Sequence, residues 1–155
     1  SLPVHSLGSQ PLDALITRHV WPDQPRAPLQ RRQLQGMLTG FMDLVLLHQG
    51  RYYVLDYKSN RLANYLPEAL QQAMLQHRYD VQAALYGLAL HRLLKSRLPG
   101  YNPAQHLGGA LYLFLRGIDQ PSCGLLHLSL PVELIEEMDE VFSRSPMQDR
   151  QDIRQ

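Results

Sequence analysis

The chain has 155 residues, 45% hydrophobic and 19% charged, with a formal net charge of +1 at pH 7, which suits one globular domain and gives no overall attraction for nucleic acid. No apolar run is long enough to span a membrane, and the N-terminus lacks the basic and apolar segments of a secretory signal. The single cysteine, Cys123, excludes an internal disulfide and is typical of a reducing compartment, so we expect a cytoplasmic protein.

The first 33 residues contain five prolines and little periodicity. This composition predicts an irregular leader rather than the opening element of a domain. We expect the globular core over residues 34–145 and a polar tail over residues 146–155. We also expect the chain to be part of a longer protein.

Two strand candidates open the predicted core. Residues 35–47 are apolar and β-compatible, and residues 52–58 (YYVLDYK) follow after a turn that contains Gly50. The apolar residues of the second run fall on both faces, as in a strand within a covered sheet. The pattern predicts a β-hairpin.

Helical and strand patterns then alternate. Residues 67–97 begin with Pro67 and Glu68 and repeat apolar positions at the helical period, which predicts one long helix or two in sequence. Residues 108–117 predict a buried strand, residues 122–130 are a further strand candidate, and residues 131–144 predict a last helix. This order predicts an α/β fold with a mixed central sheet flanked by helices.

Three charged residues converge in the predicted hairpin. Asp56 and Lys58 are two apart on a strand and share a face, and a turn centred on Gln49–Gly50 places Asp43 opposite Asp56. Opposed carboxylates repel unless a cation lies between them, and carboxylates with backbone oxygens and water suit Mg²⁺. The pattern therefore predicts metal-assisted phosphodiester hydrolysis, with the Lys58 ammonium stabilising developing negative charge.

An ordinary alternative exists for the same residues. An Asp-x-Lys pair on a strand is commonly a surface ion pair worth about 0–1 kcal/mol. Several arginines are candidates for phosphate contact, and an ordinary solvated side chain is an equal alternative for each; these are Arg31, Arg32, Arg61, Arg78 and Arg116.

Three segments resemble RecB-like nuclease domains of the PD-(D/E)XK nuclease superfamily, in the order and spacing of that family. They are residues 40–60 (GFMDLVLLHQGRYYVLDYKSN), 77–94 (HRYDVQAALYGLALHRLL) and 106–117 (HLGGALYLFLRG). The resemblance covers about residues 31–143 and implies a restriction-endonuclease-like fold.

The resemblance also implies roles for individual residues. Asp43 and Asp56 match the two metal-binding aspartates, which also serve in catalysis, and Lys58 matches the catalytic lysine. The backbone carbonyl of Tyr57 matches a further metal ligand.

A Gln-x-x-x-Tyr signature of the family, close to the DNA, is matched by Gln82 and Tyr86. On a helix, Tyr79, Gln82 and Tyr86 share one face. An amide among tyrosines there could hold a strand end or order the catalytic lysine. The alternative is that both tyrosines are core residues and Gln82 is simply exposed.

One family residue has no counterpart. In the family, a histidine on a helix upstream of the first aspartate completes the metal site, whereas here His5 and His19 lie in the predicted leader and His48 at the predicted turn. We therefore expect a truncated core that lacks this helix.

The implied function is that of a Mg²⁺-dependent deoxyribonuclease domain, at which Mn²⁺ or Ca²⁺ could replace Mg²⁺. The family analogy is a helicase–nuclease of the RecBCD type (exodeoxyribonuclease V), which degrades single-stranded DNA during double-strand break repair and recombination. Its implied partners are single- and double-stranded DNA and the RecC and RecD subunits of a heterotrimer, with no membrane. Two alternatives stay open: a catalytically silent nuclease fold that binds DNA or partner subunits, and an unrelated α/β domain with a chance ion pair.

Overall fold

The computed structural model describes residues 8–154, with side chains as far as residue 144. Its helices and strands are α1 (Ser9–His19), α2 (Arg31–Thr39), β1 (Leu44–His48), β2 (Arg51–Lys58), α3 (Pro67–Gln76), α4 (Tyr79–Arg97), α5 (Pro103–His106), β3 (Leu107–Phe114), β4 (Leu125–Leu128) and α6 (Val132–Arg154). Among these, none of the helices has the length and hydropathy needed to cross a membrane.

The four strands form one mixed sheet in the order β1-β2-β3-β4. The outer pairs are antiparallel, and β2 and β3 are parallel. A parallel pair needs a crossover connection, which α3, α4 and α5 supply. The predicted α/β fold with a mixed, helix-flanked sheet is confirmed.

The hairpin has the predicted register. Leu44 lies opposite Leu55 and His48 lies opposite Arg51. The backbone φ angles are +50° at Gln49 and +78° at Gly50, as a two-residue turn that matches the strand twist requires.

The strand predicted over residues 35–47 is wrong in its first part, because residues 31–39 form α2 and β1 begins only at Leu44. Leu34 and Leu38, four residues apart, are both buried on one helical face. The Gln33 side chain accepts a hydrogen bond from the backbone N–H of Gln30 at 3.0 Å and so caps the first turn.

The predicted irregular leader is also wrong over residues 9–19, which form α1. Leu12 and Ile16 of this helix are buried in the core. Pro11 lies within the first turn, where proline is tolerated because the first N–H groups have no partner inside the helix. Residues 1–7, with His5, lie outside the described part of the chain.

The later elements agree with the sequence patterns. Of the two alternatives for residues 67–97, two helices is right: the chain turns at Arg78, whose φ is +56°, between α3 and α4. The predicted strands at 108–117 and 122–130 are β3 and β4, and the last helix is α6. The backbone of α6 stays helical through the polar segment predicted as a tail, as far as Arg154.

One face of the sheet is covered. Helix α4 contacts β2 and β3, and the side chains of Val54, Asp56 and Tyr112 are buried there. Within the described residues the opposite face is open: Leu44, Leu46, Tyr57 and Leu125 keep 39–47% of their surface exposed. The prediction that β2 is covered on both faces is therefore wrong.

Candidate active site

Two aspartates meet where β1 begins and β2 ends. Asp43 directly precedes β1, and the hairpin register continues to place it opposite Asp56. Asp43 Oδ2 accepts a hydrogen bond of 3.0 Å from the backbone N–H of Tyr57. Asp56 is only 5% exposed.

The Asp56 carboxyl lies in a site that disfavours its ionised form. Burial raises its pKa above the ordinary value of 3.8, the Lys58 ammonium opposes this rise, and the negative charge of Asp43 adds to it. The net pKa is raised, so keeping Asp56 ionised beside Asp43 costs the folded protein free energy.

One oxygen of Asp56 has unused acceptor capacity. Lys58 Nζ lies 2.8 Å from Asp56 Oδ2, which gives a strong Coulomb attraction. Oδ2 is buried, and apart from this ammonium no donor among the described residues reaches it. Such a group is costly to bury, and a bound cation would satisfy it.

The residues present fit a magnesium-type metal. The available donors are the carboxylates of Asp43 and Asp56, and the Tyr57 carbonyl stays a predicted third donor. No three His, Cys, Asp or Glu residues converge into a metal cluster in the part of the chain that the structure describes. Mg²⁺ is commonly held by one or two protein carboxylates together with several waters.

The histidines predicted not to be ligands include His19, which ends α1 rather than lying in an irregular leader. Its Nε2 lies 3.4 Å from Glu137 Oε1 on α6, so this histidine is directed towards a different carboxylate. His48 is the last residue of β1, at the turn end of the hairpin. Asp43 lies at the opposite end of β1.

The predicted signature residues on α4 form a hydrogen-bonded chain. Tyr112 donates to Gln82 Oε1 at 2.7 Å, and Gln82 Nε2 donates to the Tyr86 hydroxyl at 3.3 Å. Tyr86 in turn donates to the Phe41 carbonyl at 3.0 Å. Because Phe41 is two residues before Asp43, this chain ties α4 to the segment that carries the first aspartate.

The geometry distinguishes the two interpretations of that signature. Tyr86 is a core residue with a satisfied hydroxyl, and burial, together with the charges of Asp56 and Asp43, raises its pKa. Gln82 is half-buried and bonded on both sides rather than simply exposed. The amide therefore links Tyr112 on β3 to Tyr86 on α4, and its role in holding a strand end or ordering the lysine stays a prediction.

Two residues of the site were not assigned from the sequence. Tyr112 on β3 pairs in register with Asp56, which a parallel alignment of β2 and β3 would have indicated. Tyr79 places its ring 4.1 Å from Lys58 Nζ. Arg78, a candidate for phosphate contact, is fully buried, so that interpretation is wrong.

The comparison with known proteins agrees with this geometry. The profile of the PD-(D/E)XK nuclease superfamily matches residues 9–155. The RecBCD enzyme subunit RecB of Escherichia coli (strain K12) is 49% identical over 122 residues, which cover 75% of this chain and 10% of that protein. The RecB subunit of Haemophilus influenzae is 49% identical over 123 residues, covering 76% of this chain and 10% of the relative.

A more distant relative covers more of the chain. The RecB subunit of Mycobacterium tuberculosis (strain H37Rv) is 36% identical over 156 aligned residues, which cover 86% of this chain and 14% of that protein. The chain spans about a tenth of the length of the first two curated relatives. On the profile match and these identities, the chain belongs to the PD-(D/E)XK nuclease superfamily, as a nuclease domain of the RecB type.

Proposed function

We propose that this domain hydrolyses DNA phosphodiester bonds with a divalent metal, Mg²⁺ foremost, held by Asp43, Asp56 and the Tyr57 carbonyl. The observation that carries the proposal is the buried Asp56 carboxyl, with its raised pKa, next to a second carboxylate, Asp43. Mn²⁺ or Ca²⁺ would occupy the same oxygen-rich site, because both accept carboxylate and carbonyl ligands.

Each residue has a role that follows from its position. When bound, the metal supplies a Lewis acid and a water of lowered pKa. Lys58 Nζ, on the same strand face as Asp56, would stabilise negative charge on the phosphate as the water oxygen bonds to phosphorus and the bond from phosphorus to the leaving ester oxygen breaks. Gln82 and Tyr86 are the DNA-proximal pair of the proposal, and they act by holding the Phe41 carbonyl and so the approach to Asp43.

The substrate and setting are proposed from the relatives. Their names place them as subunits of a RecBCD enzyme. We propose the same assignment here: degradation of single-stranded DNA, with double-stranded DNA also bound, alongside RecC and RecD subunits during double-strand break repair and recombination in the cytoplasm. Backbone contacts dominate binding of this kind, so little sequence preference is expected.

The test is degradation of end-labelled linear single-stranded DNA by the full-length protein, with and without Mg²⁺. Asp56→Asn should abolish cleavage, and the exposed Asp119→Asn, outside the site, should retain it. Undiminished cleavage by Asp56→Asn would exclude this site assignment. A wild-type protein that binds DNA but never cleaves it would instead support the catalytically silent alternative.

A further inference from the structure

The Lys58 ammonium lies between a carboxylate and an aromatic ring. Its Nζ is 2.8 Å from Asp56 Oδ2 on one side and 4.1 Å from the centroid of the Tyr79 ring on the other. The Tyr112 ring centroid is further away, at 5.6 Å. The lysine side chain is 15% exposed, so water screens these contacts only partly.

The Tyr79 ring is held in a fixed orientation. It stacks against the His77 ring, at 5.2 Å and 18° between the planes, and against the Tyr112 ring, at 5.9 Å and 19°. Its hydroxyl lies 3.3 Å from Asn60 Oδ1, in the segment that follows Lys58. A ring held by two stacked neighbours and at its hydroxyl presents a defined surface to the ammonium, which lies over it.

The backbone on either side of Tyr79 is anchored as well. Arg78 and Asp80 are both fully buried, and Arg78 Nε donates to Asp80 Oδ1 at 3.1 Å. The Tyr112 hydroxyl, which donates to Gln82 Oε1, also lies 3.3 Å from the Tyr79 carbonyl oxygen. These contacts anchor the start of α4, which carries the ring, next to the end of β2.

We propose that Tyr79 is a positioning residue for Lys58, holding the ammonium by a cation–π contact when the Asp56 carboxylate is engaged by a cation. Without the ring, the Asp56 carboxylate would have to hold the lysine ammonium and bind the metal at the same time. A π-face attracts the ammonium without supplying a ligand that competes for the metal. The effect of Tyr79 on cleavage rests on the proposed function, whereas the placement of Lys58 over the Tyr79 ring does not.

The placement can be tested by NMR, because the chain has two lysines, Lys58 and Lys95. In protein labelled at lysine, the Lys58 Cε protons should be shifted upfield of those of Lys95 by the ring current, with saturating Mg²⁺ as well as without it. Tyr79→Leu should remove most of this shift, and Tyr79→Phe should keep it. An unshifted Lys58 signal in the wild type, or a shift that survives in Tyr79→Leu, would overturn the proposal.

The consequence for cleavage is tested with the same variants in the full-length protein. Tyr79→Leu should lower kcat about tenfold with KM for DNA unchanged, and Tyr79→Phe should stay near the wild type. In a Lys58→Met background the Tyr79→Leu effect should vanish, because the ring acts through that lysine. Equal losses in the Phe and Leu variants would show that the hydroxyl bond to Asn60 is what matters, and would overturn the role of the ring. If the wild type does not cleave, the proposed function fails while the NMR result still decides the placement.

Discussion

Two charge clusters, each built around a buried carboxyl group, use similar side chains but differ in how completely they are paired. The ion-pair cluster comprises Asp13, Arg26, Arg78 and Asp80, and the site cluster comprises Asp43, Asp56 and Lys58. In the ion-pair cluster, Arg78 lies 2.8 Å from Asp13 and 3.1 Å from Asp80, and Arg26 lies 2.9 Å from Asp80. Two carboxylates there face two guanidinium groups, whereas the site cluster sets two carboxylates against one ammonium.

The pKa directions show the consequence. Partial burial would raise the pKa of Asp13, but the Arg78 guanidinium, helped by hydrogen bonds from Leu29 and Thr17, offsets this, and the pKa is lowered. Burial and Asp43 together outweigh Lys58 at Asp56, and that pKa is raised. The fold thus pairs its charges where they only hold elements together, and keeps a negative excess where a cation is proposed to bind.

The largest effect should come from breaking the ion-pair cluster. Arg78→Met leaves Asp13 without its guanidinium partner and Asp80 with Arg26 alone, and removing one member of a buried pair costs about 3–5 kcal/mol. Urea unfolding should show this loss, with the exposed Arg61→Met as the control that leaves the midpoint unchanged. A loss below about 1 kcal/mol would mean that the cluster does not anchor α1 and α4.

The next effect concerns cleavage rather than stability. Lys58→Met should lower the cleavage rate by roughly 10²–10³-fold, as expected for removing one group that stabilises transition-state charge. Because the variant also leaves the buried Asp56 carboxyl without its ammonium, urea unfolding should confirm that the protein compared in the cleavage assay is folded. The matched control is the exposed Lys95→Met, and comparable cleavage by both lysine variants would contradict the role of Lys58.

A smaller effect, a gain in stability rather than a loss, is expected from a substitution at Asp56. Because its pKa is raised in the folded state, ionisation at neutral pH opposes folding, and Asp56→Asn removes that cost. Without divalent metal at pH 7, Asp56→Asn should raise Tm by on the order of a few degrees. Saturating Mg²⁺ should raise the Tm of the wild type alone, since it binds only the intact site. A lower Tm for the metal-free variant would show that the Lys58 pair outweighs the burial of the charge.

The smallest effect is the acid response of the ion-pair cluster. The folded pKa of Asp13 is depressed, so its contribution is present above the ordinary value of 3.8 and is lost as the pH falls through the folded pKa. Wild type should therefore exceed Asp13→Asn in stability by a constant margin between about pH 5 and 7, and the margin should close below the ordinary aspartate pKa. Denaturant midpoints across this range provide the measurement; a margin that widens in acid would contradict the lowered pKa.

The parts of the site within one hairpin were predictable, because local rules determine them. A two-residue turn sets the register, the register places Asp43 opposite Asp56, and strand alternation places Lys58 beside them. The helical face of Gln82 and Tyr86 follows from their spacing in the same way. These inferences need no knowledge of how distant segments pack.

The other features of the fold and the site depend on packing between segments that are distant in the sequence. Helix α1 rests on two buried side chains, Leu12 and Ile16, and on the Asp13–Arg78 pair, none of which stands out in a proline-rich segment. From the sequence, Arg78 is a candidate for phosphate contact, because no neighbouring residue in the chain indicates that α1 covers it. The contact between Tyr79 and Lys58 exists only because α4 crosses the end of β2.

The central claim is that Asp43 and Asp56 together bind a divalent cation. The most direct test is titration of the full-length protein with Mn²⁺. Binding is measured by calorimetry and by the paramagnetic broadening of NMR signals next to the site. The titration is made on the wild type, Asp43→Asn, Asp56→Asn and Asp119→Asn. We predict one site in the wild type and in Asp119→Asn, and its loss or strong weakening in the other two variants. Binding that is unchanged in Asp43→Asn and Asp56→Asn, or absent in the wild type, would contradict the account.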